Sequence, residues 1–191
     1  MERSGENVHL FTQSYESERR IEISLATKLG LSDLKAGNMV IRDERGWRQN
    51  EKYIDHVWIV YIARSFVGWC GIFSIKFNEH KFREHSNPEE LVQGVFSLDN
   101  NGVTNIYSEI SENKQDTIID HFKLDLFNAN KGIALDGISY RLRIISSNID
   151  TFISVHNPTS SNWQKWENEI HSLGKQLASK SDIPEIIQVF K

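Results

Sequence analysis

The stretch 55-DHVWIVYIARSFVGWCGIFSIKF-77 decides how this chain folds, because it is apolar almost throughout and can be a membrane span, a buried hairpin or the wall of a pocket. A spanning helix needs about 20 predominantly apolar residues, and Val57 to Phe77 has that length. Arg64 and Ser65 lie near its centre, where hydrocarbon penalises charge, and Gly68 and Gly71 interrupt its second half. The run Val57-Trp58-Ile59-Val60-Tyr61-Ile62 is β-branched and aromatic, which favours a strand. The stretch therefore reads as two strands joined at Arg64–Gly68, with no membrane span. Both alternating faces of the first are apolar, Val57, Ile59 and Tyr61 on one and Trp58, Val60 and Ile62 on the other, as in a strand covered on both sides. The second reads as half-buried, with Phe73, Ile75 and Phe77 on one face and Ser74 and Lys76 on the other.

Outward from this hairpin the period of two continues. Ile21, Ile23 and Leu25 alternate with Glu22 and Ser24, and Met39-Val40-Ile41 starts another apolar run. In 91-LVQGVFSLDNNGVTNIYSEI-110, Asn101-Gly102 supplies the positive-φ residues of a tight turn between two β-rich arms. Further strands are expected through 122–127, 138–145 and 151–155, with turns at 128-NANKG-132, Asp136-Gly137 and 146–150. The period changes in 161-SNWQKWENEIHSLGKQLASKSD-182, where Trp163, Trp166, Ile170, Leu173 and Leu177 line one helical face. Ser161 and Gln164 have the spacing of a capping box. Pro184 suits the first turn of a further element, and 183-IPEIIQVF-190 is compatible with a helix or a final strand.

The expected class is α+β, mainly β: an antiparallel meander sheet or barrel of about eight or nine strands with the C-terminal amphipathic helix packed on it. A sandwich with a docked helix is the alternative. A chain of 191 residues suits one domain, 1–191, with a β part about 18–156 and a helix about 162–179. Strand–helix–strand alternation and glycine-rich phosphate loops are missing from the sequence, which argues against nucleotide-binding α/β folds. A formal net charge of −4 argues against a nucleic-acid binder. A single cysteine and an N-terminus, MERSGENVHL, without the apolar core of a secretory signal point to the cytoplasm.

Candidate chemistry is sparse. His80 and His85 stand among Glu79, Glu89 and Glu90, but their five-residue spacing fits neither a zinc-protease helix nor one strand face, so no metal is expected. Cys70 would be a nucleophile if His56 approached it; amid apolar neighbours it reads as a small buried hydrophobe. Asp116, Asp120, His121 and Asp125 read as a solvent-facing acidic cluster. Arg141 and Arg143 share a strand face and read as solvating the sheet.

The polar stretch best suited to recognition is 42-RDERGWRQNEK-52, in which Arg42, Arg45, Arg48 and Lys52 surround Trp47. Guanidinium groups beside an indole can hold an anionic or aromatic ligand, while Asp43, Glu44 and Glu51 can instead neutralise them in surface pairs. The expected function is a non-enzymatic binding module for a protein partner or small ligand, with no cofactor. The competing expectation is a hydrolase or transferase whose histidines and carboxylates assemble only in three dimensions.

Overall fold

The structure is a computed structural model describing residues 18–42, 45, 48–78, 89–99, 102–112, 114–119, 123–125 and 137–191, with backbone alone over 38–42 and 48–52. The chain begins its described part in a helix, α1, over residues 18–28. Strands β1 (Gly37–Arg42), β2 (Arg48–Arg64), β3 (Gly68–Asn78), β4 (Glu90–Asp99), β5 (Gly102–Glu112), β6 (Ile138–Ser146) and β7 (Ile149–His156) follow, then helices α2 (Ser161–Ser181) and α3 (Pro184–Val189). The strands form one antiparallel sheet ordered β5-β4-β3-β2-β6-β7, and β1 pairs with β2. Pairing with β1 covers Arg48 to Ile54 of β2, whereas β6 takes over from His56.

The sheet is open, with β5 and β7 at the ends of the strand path, so neither the barrel nor the two-sheet sandwich is formed. Seven strands are described rather than eight or nine, for two physical reasons. The alternation at Ile21, Ile23 and Leu25 belongs to α1: Leu25 is buried, Ile23 is half exposed, and the inward face also carries Glu18 and Glu22. Five residues of period two are equally compatible with the i, i+4 pair Ile21 and Leu25. A Schellman cap then ends the helix: Gly30 (φ +70°) donates to the Thr27 carbonyl and Leu31 donates to the Ala26 carbonyl. The strand expected over 122–127 also fails, since 123–125 have no regular structure; its remaining residues, and the turn at 128–132, lie outside the described residues.

The hairpin at 55–77 forms as read, Arg64 facing Gly68 across the turn, and β2 is covered on both sides. Trp58, Val60 and Ile62 pack with Trp163, Trp166, Ile170 and Leu177 of α2 and with α3. Val57, Ile59 and Tyr61 pack with Leu25 and Ala26 of α1 and with Leu31 and Leu34. A bulge at Asp55 changes the alternation, which is why Ile54 joins Val57 rather than Trp58. β3 is not half-buried: Ser74 and Lys76 are buried as well, because the segment 114–119 lies against that face. Gly71 does not interrupt β3 either. A Cβ there would sit 2.0 Å from the Phe96 ring, so this glycine makes room for the aromatic residue opposite it.

The β4–β5 hairpin exists as expected; Gly102 has φ +128°, and residues 100 and 101 lie outside the described ones. The α2 stripe docks on its own sheet, with Leu173 only partly buried. Each fully buried member contributes about 1.5–3 kcal/mol before entropy is subtracted. The capping box is not formed: Ser160 is the N-cap and makes no side-chain cap hydrogen bond, so the helix relies on packing at this end. The 183–190 segment resolves as helix α3, with Pro184 in its first turn. Among the described residues no helix is long and apolar enough to cross a membrane.

Candidate functional site

The basic loop expected around Trp47 is the connection between β1 and β2, with Arg42 and Arg48 as cross-strand backbone partners and Arg45 exposed. Trp47 lies outside the described residues, as do the side chains of Arg42, Arg48 and Lys52. The loop stands at one end of the long strand β2. Residues 79–88, with His80 and His85, also fall outside the description; among the described residues no cluster of His, Cys, Asp and Glu could hold a metal.

Cys70 and His56 are not neighbours. Cys70 pairs with Ile62 and His56 with Lys76, six residues apart along β2, or about 20 Å at ~3.3 Å per residue. Burial pushes the Cys70 thiol up to about 12, so it stays protonated and unreactive.

Asp116 corrects the solvent-facing reading of the acidic cluster, being 7% exposed. Its Oδ2 accepts hydrogen bonds from Trp58 Nε1 (2.7 Å) and Ser74 Oγ (2.6 Å), and His56 Nε2 stands 3.5 Å away. Burial pushes its carboxyl up, but hydrogen bonds from His56, Ser74 and Trp58 outweigh burial and leave it below the usual carboxylate range. The residue types are those of a serine-protease triad, but the wiring differs. Ser74 is fully buried and gives its proton to the carboxylate rather than to an imidazole, so the group anchors residue 116 to the sheet. Asp120 and His121 are outside the described residues, and Asp125 accepts from Asn162 Nδ2 at 3.0 Å.

A second polar group lies between β6 and α2. Tyr140 Oη donates to Glu167 Oε1 and is 2.8 Å from His171 Nε2. Burial, then the bond to Glu167, raises the Tyr140 phenol, and burial foremost lowers His171. Tyr140 also packs edge-on against Trp166, so these groups sit inside the helix–sheet interface.

Arg141 and Arg143 do not merely solvate β6. They meet α1, Arg141 pairing with Glu18, and Arg143 with Glu22 (2.9 Å) and Asp150. Past Glu18 the same face opens into a cleft of about 350 Å³. Its floor is two cross-strand rows: Tyr61, Arg141 and Ser154, then Ala63, Ser139 and His156. Trp69, paired with Ala63, and Leu98 form the side wall, and Trp69 is 70% exposed. Ser139 Oγ and His156 Nδ1 are 2.6 Å apart.

Beneath the cleft floor lie two of the buried polar atoms that lack a hydrogen-bond partner among the described residues, the Tyr61 hydroxyl and Arg141 Nε, others being Trp166 Nε1 and Asp116 Oδ1 on the opposite face. Burial, opposed by the Arg141 pair, raises the Glu18 carboxyl above its usual range. A larger cleft, about 610 Å³, lies on the other side of Trp69, and three of its polar residues are bonded to one another: Ser97 Oγ is 2.9 Å from Thr104 Oγ1 and accepts from Asn105 Nδ2 at 3.0 Å.

Of the residues lining the cleft only Cys70 stands out in the sequence as a candidate, and it is buried. Tyr61 was legible only as a strand-face residue and Arg141 as a solvating charge, because their convergence depends on the pairing of β2 with β6, far apart in the chain. No family model, curated protein or solved structure matches this chain.

Proposed function

We propose that the chain is a non-enzymatic binding module whose ligand is a small molecule held in the cleft floored by Tyr61 and Arg141. The observation that carries this reading is the concavity itself, a largely apolar space with the exposed Trp69 indole on its wall and Arg141, Ser154 and His156 on its floor. Ligand sites commonly combine apolar walls with a few converging polar groups, and 350 Å³ lies at the small end of their usual sizes. Binding is favoured over catalysis because the nucleophile candidates are engaged elsewhere: Cys70 is buried and Ser74 is bonded to Asp116.

Hydrolysis or group transfer has one observation in its favour, the 2.6 Å contact between Ser139 and His156. The two face each other on a regular ladder, not at a helix N-terminus or turn where free N–H groups gather to stabilise an oxyanion. The pair therefore serves as a polar wall.

The deciding experiment is a protein-observed NMR screen of neutral, cationic and anionic aromatic fragments. Shifts confined to the ends of β2, β3, β6 and β7, and weakened by Trp69→Ala, are expected. Binding nowhere, or only at other surfaces, sinks the reading; a p-nitrophenyl acetate burst abolished by Ser139→Ala transfers the site to the catalytic alternative.

A further inference from the structure

The two end strands of the sheet are protected unequally. An end strand offers a row of backbone N–H and C=O groups to any extended chain, and folds usually blunt it with a bulge, a proline or charged side chains. β5 has such devices: its ladder shifts register between Phe96 and Leu98, it carries Glu109 and Glu112, and Glu109 is tied to Lys180 of α2. β7 is IDTFISVH, without lysine, arginine, proline or glycine, and it pairs with β6 in unbroken register from Ile149 to His156. Among the described residues no strand pairs with its outer side.

The backbone groups on that outer side can be named. Asn157 N–H donates to the Ile138 carbonyl at 2.9 Å, one step beyond the pair Ser139 and His156. Bonded and non-bonded pairs alternate along an antiparallel ladder. Ile149, Thr151, Ile153 and Val155 therefore direct their backbone groups to β6, and those of Asp150, Phe152, Ser154 and His156 point away from the sheet.

This row is complementary to itself. Two copies of a strand paired antiparallel about a two-fold axis join residues of the same parity, because paired side chains share a face. With Ile153 opposite itself, all four outward residues find partners within the strand: Asp150 faces His156 of the second copy, and Phe152 faces Ser154. One step toward either end leaves His156 or Asp150 facing chain beyond the strand. The matched register sets a carboxylate, 71% exposed, opposite an imidazole on both sides of the axis. It also adds cover to Phe152 and Ile153, which are only partly buried.

We propose that two copies of this chain associate edge to edge through β7, antiparallel, with Ile153 on the two-fold axis. The pairing does not depend on the cleft holding a ligand.

The test begins with sedimentation equilibrium of the full chain from about 1 to 500 μM, over which the mass should rise from one copy toward two. Ser154→Pro deletes an outward N–H and no bond to β6, so it should leave a folded monomer throughout that range. His156→Asp sets carboxylate against carboxylate and covers a proline variant that fails to fold; it should weaken association at least about threefold. The register is read by cysteine trapping. Residues facing each other in a non-bonded antiparallel pair have Cα atoms about 4.5 Å apart, within disulfide reach, so Ile153→Cys should give a covalent dimer on mild oxidation. Phe152→Cys and Ser154→Cys should not, and the native chain serves as the control because Cys70 is buried. A native chain that stays monomeric at every concentration overturns the second-copy assignment and hands the edge to a strand of another protein. A dimer that withstands both Ser154→Pro and His156→Asp lies on another surface, and trapping through position 152 or 154 instead of 153 overturns the register.

Discussion

The two faces of the sheet are closed by different means. Toward α2 and α3 the sheet presents Trp58, Tyr140 and Leu142 to Trp163, Trp166 and Ile170, all buried, with Trp58 bonded to Asp116 and Tyr140 to Glu167 inside the interface. Toward α1 the apolar centre is similar, but the helix edge meets β6 through ion pairs, Glu18 with Arg141 and Glu22 with Arg143. Beyond Glu18 this second face is left as a cleft walled by the exposed Trp69. The contrast separates a face closed by apolar packing of two helices from one closed at its edge by ion pairs between a helix and β6.

The largest expected effect belongs to the sealed face. Trp58 is fully buried and donates to Asp116, so Trp58→Ala removes a large side chain and one anchor of residue 116 together. A loss of about 3–5 kcal/mol is expected in chemical denaturation. A loss under about 1 kcal/mol would show that this face is not a closed core.

A pair of Tyr→Phe substitutions makes the contrast sharper. Tyr140→Phe strips the hydroxyl from its contacts with Glu167 and His171 and should cost about 1.5–3 kcal/mol. Tyr61→Phe removes a hydroxyl without a partner and should lower stability by less than about 0.5 kcal/mol, or raise it. Equal destabilisation by both substitutions would contradict the distinction between the faces.

The smallest effect concerns acid, and it has opposite signs at two buried carboxylates. Asp116 is held below the usual value near 3.9, so its contribution is present above that pH and is lost as pH falls through its lower folded value. Glu18 is raised above the usual value near 4.3, so the folded state takes up the proton first and gains relative stability as pH falls through that window. In urea midpoints measured from pH 6 to pH 3, Asp116→Asn should flatten the acid loss, whereas Glu18→Gln should steepen it. The same direction of change in both variants would refute the assignment.

Much of this architecture was determined locally. The dense β-branched and aromatic residues of 57–62, interrupted by Arg64–Gly68, commit the stretch to a hairpin, and the apolar character of both its faces already demands cover on both sides. The spacing of Trp163, Trp166, Ile170 and Leu177 likewise determines the stripe that α2 buries. Tertiary structure decided what short windows leave degenerate. Ile21 to Leu25 satisfies both periods, and only docking against the sheet makes it helical, with Glu18 and Glu22 drawn inward by arginines about 120 residues away. Asp116 reads as one more surface acid until Trp58 and Ser74 close over it. The cleft was the least legible feature, because Tyr61, Trp69, Arg141 and His156 lie on four strands, and only the sheet's register brings them together. Periodicity reports which way a side chain faces; which other side chains face it is set by long-range pairing, which no local pattern encodes.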